Sequence, residues 1–412
     1  MNKALKIILI IIGSIFIILA AFAGLNKINE GKINAYIDTF SEVDYNEQLV
    51  PEYDETGDAY FVTDREFKVM HLTDIHIGGG ILSAKKDKMA LNAVAAMIAT
   101  EQPDLVVVTG DISFAVPYSA GTLNNSYAHG YFKRLMERLG VYWTVTLGNH
   151  DSEIYDYYDR DAVAAMYTDE NLKYCLFSSA EGVSGKGNHV INVRNSAGLI
   201  TQSFYMIDSH SYTDKDPFGF KWDYDFIKDD QIEWYRNKVL ANNAYNEQIT
   251  DTLPSAVGEE FLTPKSLMFM HIPLREVKYA YDEYVNAGRV DTENTKYVKG
   301  HDGEKDPTIF CSRIDENLFE TVVELGSTKA LFYGHDHLNN FVLEYKGITL
   351  SYGYSMDYLA YFGIAKEGYQ RGCTVIKCSP DMSVEIKHEN YYQNKYVPIY
   401  PKETVNMEKN EK

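Results

Sequence analysis

Five apolar runs in this chain stop on residues able to hold a metal ion: Asp74-x-His76, Asp111, Asn149-His150, His271 and His335-x-His337. The set is carboxylate, imidazole and amide, without a thiolate, which suits first-row cations such as Mn, Fe or Zn. In an extended segment residues two apart face the same way. Asp74 and His76 can therefore reach one point, as can His335 and His337, while the spacer Asp336 is expected to face elsewhere. Two cations about 3.5–4 Å apart would neutralise phosphoryl oxygens and bring a shared water towards a pKa of ~7. The chemistry expected is attack of a bridging hydroxide on a phosphate mono- or diester. Asp111, between the other ligand sets in sequence, is the natural bridging carboxylate. His150 remains for general-acid work on the leaving oxygen. Gly148-Asn149-His150-Asp151 alone would carry little weight, because Gly-Asn is ordinary turn chemistry. Recurrence of ligands at five run ends gives it weight.

The elements that must position these residues alternate in type. Residues 67–73 read as a strand and 85–100 as an amphipathic helix, with Met89, Ala90, Val94 and Met97 at helical spacing. A β-branched run at 105–109, a helix at 126–139 and a strand at 141–147 follow. Such βαβ units make a parallel sheet, with ligands gathering at the carboxyl ends of its strands. Later strands are expected at 174–177, 190–193, 203–208, 266–270 and 330–333, then hairpin-like ones at 340–345, 347–352, 372–377 and 384–388. Helices are expected at 229–240 and 313–325. The stretches 241–264 and 281–307 are read as polar surface excursions without a secure element.

Length and composition frame this. With 412 residues, 45% apolar and 24% charged, the chain can bury a large core. Its formal charge is −20 and no basic block stands out, so no nucleic-acid partner is expected. Cys175, Cys311, Cys373 and Cys378 are too scattered for a disulfide scaffold, leaving room for one bridge. Residues 1–25 form a basic lead followed by 19 uncharged residues, Ile7 to Leu25, long enough to span a bilayer. Either this is an N-terminal membrane anchor, or it is a signal peptide cut after Ala21-Phe22-Ala23. Both send the remainder out of the cytoplasm, because Lys3 and Lys6 hold the leading end inside. Without those two lysines, 37 basic face 59 acidic residues, a net −22. The expected organisation is anchor or signal at 1–25, polar spacer at 26–66 with a short helix near 33–40, catalytic domain at 67–390 and frayed polar tail at 391–412.

The ordered series D-x-H, G-D, G-N-H-D, H and G-H-x-H resembles the calcineurin-like metallophosphoesterase family over about residues 67–377. The resemblance implies an α/β fold, a four-layer α/β/β/α sandwich with two mixed β-sheets. It implies two divalent or mixed-valence cations, one held by Asp74, His76, Asp111 and His337, the other by Asp111, Asn149, His271 and His335. It further implies that Asn149 and His150 contact the phosphoryl group of a small phosphate-ester substrate. Residues 334–341 and 361–371 look most like the purple-acid-phosphatase-related branch. Two departures matter: Phe114 stands where the coloured subgroup has a tyrosinate ligand, and His76 where it has glycine. A purple Fe(III) centre is therefore not expected.

Other polar residues take plainer readings. His71, inside a strand, is expected in the core, and His189, His210 and His301 on surfaces or loops; His129, near Asn124 and Asn125, could approach the site, though the plainer reading is favoured for it too. Asp151 and its neighbour His150 diverge on an extended segment, which leaves the partner of that imidazole unassigned. Arg371 could bind a substrate phosphate or form a surface ion pair. Gly78-Gly79-Gly80 lacks the Lys-Ser/Thr of a phosphate-cradling loop and is read as room for ligands to approach.

Overall fold

β-branched and aromatic runs dominate the strands, and a computed structural model shows how they assemble. It describes residues 3–213, 223–253, 258–305, 307–361, 364 and 370–405. In chain order the elements are α1 (Lys3–Ile37), β1 (Glu52–Tyr53), β2 (Ala59–Val62), β3 (Phe67–Leu72), α2 (Ala84–Glu101), β4 (Leu105–Thr109) and α3 (Pro117–Ala120). Then come α4 (Ser126–Leu139), β5 (Trp143–Thr146), α5 (Arg160–Tyr167), β6 (His189–Arg194), β7 (Ile200–Met206), α6 (Asp229–Thr252), β8 (Lys265–Phe269) and α7 (Arg275–Asn286). The last are β9 (Thr295–Lys299), α8 (Leu318–Leu325), β10 (Thr328–Tyr333), β11 (Val342–Tyr345), β12 (Ile348–Tyr352), β13 (Gly372–Cys378) and β14 (Val384–Asn390).

Among the described residues the strands form two mixed sheets, ordered β14-β13-β3-β4-β5 and β1-β2-β6-β7-β8-β10-β12-β11-β9. β3, β4 and β5 run parallel, as do β7, β8, β10 and β12. The sheets face each other through aromatic side chains: Phe67 lies on Phe204 at 5.7 Å and His71 on Phe332 at 5.6 Å. α2 and α4 close the outer face of the smaller sheet, with Leu91, Val94, Met97, Phe132 and Leu135 fully buried. α6, α7 and α8 cover the larger one over a second core holding Tyr235, Val277 and Phe319. The result is the expected four-layer α/β/β/α sandwich. Parallel strands buried on both faces account for the continuous apolar runs.

Several expectations are corrected. The stretch 26–66 is not a spacer: α1 runs on without a break, Ile33, Ile37, Phe40 and Val43 enter the core, and β2 pairs with β6. Charged residues between the buried positions, Lys27, Lys32, Asp38 and Glu42, face outward, so composition hid the buried stripe. Tyr391, Tyr392 and Tyr396 are buried and Tyr400 packs on Tyr36, so the described part of the tail is docked, not frayed. α6 continues through 241–252 because its buried face there is Asn246, which pairs with both backbone groups of Ile200. The excursion at 281–307 contains the end of α7 and the strand β9. Cys175 makes only an isolated bridge to Trp143, so 174–177 is not a strand, and α8 begins at Leu318 rather than Arg313. All four cysteines are free thiols. Most of 361–371, the stretch compared with the purple-acid-phosphatase branch, lies outside the described residues.

Candidate metal centre

Each candidate ligand follows the carboxyl end of a parallel strand: Asp74 and His76 after β3, Asp111 after β4, Asn149 and His150 after β5, His271 after β8, His335 and His337 after β10. The exits turn sharply. Asp74, His76, Asp111 and His335 all have left-handed backbone, with φ of 50°, 51°, 53° and 73°. Non-glycine residues adopt this conformation at a cost, and Asp and His tolerate it better than most. Close approach is secured by glycines: a Cβ on Gly148 would lie 2.1 Å from Asp111 Oδ1, and one on Gly334 1.8 Å from Thr73 Oγ1.

Two groups result. The ligand atoms of Asp74, His76, Asp111 and His337 lie within 4.8 Å of one another, as do those of Asp111, His271 and His335. Asp111 belongs to both: its Oδ2 is 3.3 Å from His76 Nε2 and 3.2 Å from His271 Nε2. Asn149 Oδ1 stands 3.1 Å from His271 Nε2 and joins the second group. His337 Nε2 is 3.6 Å from Asp74 Oδ1. His271 Nε2 and His335 Nδ1 face each other at 3.3 Å. Two ring nitrogens so placed repel unless a proton or a cation sits between them. This donor set therefore fits a pair of first-row cations.

The supporting contacts hold the ligands in tautomer and orientation. His271 Nδ1 donates to Thr109 O at 2.8 Å, which leaves Nε2 as the ligand atom. His76 Nδ1 faces Asp357 Oδ1 at 3.5 Å, and Asp357 accepts N–H groups from Leu359, Ala360 and Tyr361. Asp151, fully buried, accepts from the backbone N–H of Asp111, Ser113 and Gly148 at 2.9, 3.0 and 2.8 Å. His150 Nδ1 donates to Glu153 Oε1 at 2.7 Å. Glu153 also accepts from Tyr212, whose hydroxyl accepts from Asn149 Nδ2.

Electrostatics follow from this geometry. Burial opposes a charged Asp111, but the fields of His271 and His150 and hydrogen bonds from His271 and His76 hold its carboxyl well below the usual range. Burial would lower His271, yet Asp111 and Asp74 raise it to about 9. Burial and then repulsion by His76 push His337 down to about 3, leaving a neutral ring with a free lone pair. Protons on imidazoles thus balance the carboxylates, and cations would displace them.

Asp74, His76, Asp111, His271, His335 and His337 come together, with Asn149 beside His271 and His150 beside His76. Asp336 points away, accepting from Tyr352 and Phe310. His71 is a core histidine bonded to Thr109. His129 reaches only the backbone of Asp151 and the hydroxyl of Tyr167. His189 is buried, bonded to Thr144, and not on the surface as expected, because β6 lies inside the larger sheet. Arg371 makes an ion pair, but a largely buried one, with Glu403 at 2.7 Å, and also donates to Asp357 O and Tyr392. Gly78 and Gly79 give their N–H groups to Asp87. Sequence reasoning missed Glu153, Asp357 and Tyr212. For Glu153 the three-residue spacing from His150 was the available signal; the other two had none.

A sequence profile of calcineurin-like phosphoesterases matches residues 67–339. The chain is 28% identical over 340 residues to probable inactive purple acid phosphatase 29 of Arabidopsis thaliana, covering 77% of each. It is 27% identical over 349 residues to probable inactive purple acid phosphatase 14 of the same plant, covering 77% of this chain and 76% of that one. A crystal structure of a dimetal phosphatase from Danio rerio superposes with a TM-score of 0.49 at 11% identity, over 80% of this chain and 98% of that one.

Proposed function

Because the chain belongs to the calcineurin-like phosphoesterase family, we propose that it hydrolyses phosphate mono- or diesters at the Asp111-centred site. The observation that carries this is the pair of buried ligand groups sharing Asp111. Asp74, His76, Asp111 and His337 would hold one cation, and Asp111, Asn149, His271 and His335 the other. Such a pair, of Mn, Fe or Zn, supplies positive charge for the phosphoryl oxygens and an acidified water. Phe114 packs edge-on against His76 and His150, so that position offers no tyrosinate.

The chain's own residues supply the rest. Asn149 and His150 contact the phosphoryl group. His150 donates through Nδ1 to Glu153, which fixes the ring and directs Nε2 to the leaving oxygen. Burial disfavours its charged form, but Asp111 and Glu153 raise it above the ordinary histidine value, the direction a general acid needs. A quarter of its side chain is exposed (25%), which leaves the ring accessible to substrate. α1 is the one helix among the described residues long and apolar enough to cross a membrane. With Lys3 and Lys6 on its leading side, it carries the catalytic domain on the extracytoplasmic face. A net charge of −22 on that domain favours small esters over nucleic acid.

The names of the Arabidopsis relatives favour a second reading, a binding protein that keeps the fold without turnover. Hydrolysis of an aryl phosphate by Mn²⁺-loaded protein, lost in Asp111→Asn, is expected if the enzyme reading holds. No turnover of any mono- or diester by metal-replete protein refutes it and leaves the binder.

A further inference from the structure

The first polar residue after the apolar span is fixed to the catalytic domain at the loops beside the metal centre. Asn26 Nδ2 donates to Gly121 O at 2.9 Å, and Asn26 Oδ1 accepts from Ile81 N at 2.8 Å. One turn later Asn29 Nδ2 donates to Gly80 O at 3.2 Å. α1 is unbroken from Lys3 to Ile37, so nothing between bilayer and domain can act as a hinge. An α-helix rises about 1.5 Å per residue, so the Gly80–Leu82 and Gly121 loops stand level with the end of the membrane span.

These loops belong to the site. Gly80 lies four residues after His76. Tyr118 lies four after Phe114, whose ring is 5.1 Å from that of His150. Tyr157 N donates to Leu123 O, which ties the 153–158 segment, with Glu153 at its start, to the same place. Tyr155 lies within the electrostatic reach of both Tyr118 and Asp111.

Large apolar side chains stand exposed on this side: Tyr118 at 82%, Ile154 at 80%, Tyr157 at 70% and Leu82 at 55%. Leu25 and Ile28, beside the docked Asn26 and Asn29 in α1, are exposed as well, at 47% and 58%. Clustered exposed apolar side chains mark a contact surface. Tyrosine is the residue that settles at membrane–water boundaries, with an apolar ring and a wet hydroxyl. The domain is acidic, so attraction to anionic lipid cannot supply the contact; apolar burial and the anchor must.

We propose that Leu82, Tyr118, Ile154 and Tyr157 form a bilayer-contact face that holds the metal centre at the membrane surface, and that the substrate is a phosphate ester carried by a lipid of that leaflet. The substrate part rests on the hydrolytic reading given above. For a phosphomonoester lipid, water oxygen bonds to phosphorus and the ester P–O bond breaks. The lipid oxygen leaves as an alcohol with the proton from His150, and inorganic phosphate keeps the remaining proton of the water, His150 being reprotonated by the other.

The test uses the full chain, Mn²⁺-loaded, in phosphatidylcholine vesicles containing phosphatidic acid. A fluorophore is attached at Tyr118→Cys and, for reference, at Val298→Cys on the edge strand β9, with the unsubstituted chain as labelling control. Doxyl lipid is expected to quench the label at 118 at least about threefold more than at 298. Phosphate release from phosphatidic acid, divided by turnover of a soluble aryl phosphate, is expected to fall about tenfold in Tyr118→Asp/Tyr157→Asp. Equal quenching at the two positions, or an unmoved ratio, overturns the lipid proposal while aryl turnover keeps the hydrolytic reading; equal quenching then marks the face as one for a protein partner. No turnover of either ester overturns the hydrolytic reading, and the lipid substrate with it.

Discussion

Asp151 offers a test of the scaffold that needs no knowledge of the substrate. Its buried carboxylate accepts three backbone N–H groups, from Asp111, Ser113 and Gly148, all at 2.8–3.0 Å. It thereby ties the exits of β4 and β5 together at the residue shared by both ligand groups. Asp151→Ala would leave three buried donors without acceptors. At about 1–2 kcal/mol each, and with partial relaxation, the loss of stability should be about 3–5 kcal/mol. Asp151→Asn keeps one acceptor oxygen but turns an NH₂ towards a donor, so a smaller loss of about 1–3 kcal/mol is expected. The assay is urea unfolding of the full chain in detergent, followed by near-UV circular dichroism. Both variants should also bind Mn²⁺ more weakly, since Asp111 holds a left-handed φ that its neighbours enforce. A loss below about 1 kcal/mol in Asp151→Ala refutes the argument, because water or a rearranged loop would then satisfy those donors.

Three further outcomes are expected. Stripping metal with a chelator should lower the unfolding midpoint, and Mn²⁺ at about a hundredfold over its Kd should restore about 2.7 kcal/mol, read by the same assay. Burial raises Glu276 to about 7, and burial with the charge of Glu276 raises Glu316 to about 8, from a usual 4.5. The folded chain then holds protons that the unfolded chain has lost, so this contribution is full below about pH 4.5 and disappears as pH rises through about 8. Stability curves of Glu276→Gln and Glu316→Gln should therefore decline less over that window than the parent's. Arg371→Met should cost about 2 kcal/mol by leaving Asp357 O without its donors, since Glu403 keeps the hydroxyls of Tyr392 and Tyr358, and limited proteolysis should then release the segment after residue 390 more readily.

The ligand set was legible because strand exits announce themselves: an apolar β-branched run must end where side chains stop packing and start presenting polar groups. The positioning residues were not. Asp357 lies in an irregular segment that the larger sheet carries back to His76, and no spacing in the chain encodes that return. Glu153 reaches His150 across a single 3-10 turn, where the adjacent Asp151 drew attention first. In the fold, parallel strands and short amphipathic helices read clearly. The far half of α6 did not, because its one buried residue there is an asparagine bonded to the edge of β7. The docking of 26–45 was equally hidden, since its buried stripe is interrupted by charges that face solvent.

The strand that bears Asp74 and His76 has a bearing on biosynthesis. β3 lies between β4, its near neighbour in sequence, and β13, about 300 residues further on. During translation the β3 edge of the smaller sheet must wait open until β13 has emerged. That edge is Val- and Leu-bearing, with Val69 and Leu72 in β3. Exposed strand edges of this kind recruit partners indiscriminately. Shortening the chain before β13 should therefore give aggregation rather than a smaller folded domain, and the segment carrying β13 is the one that seals the nascent sheet.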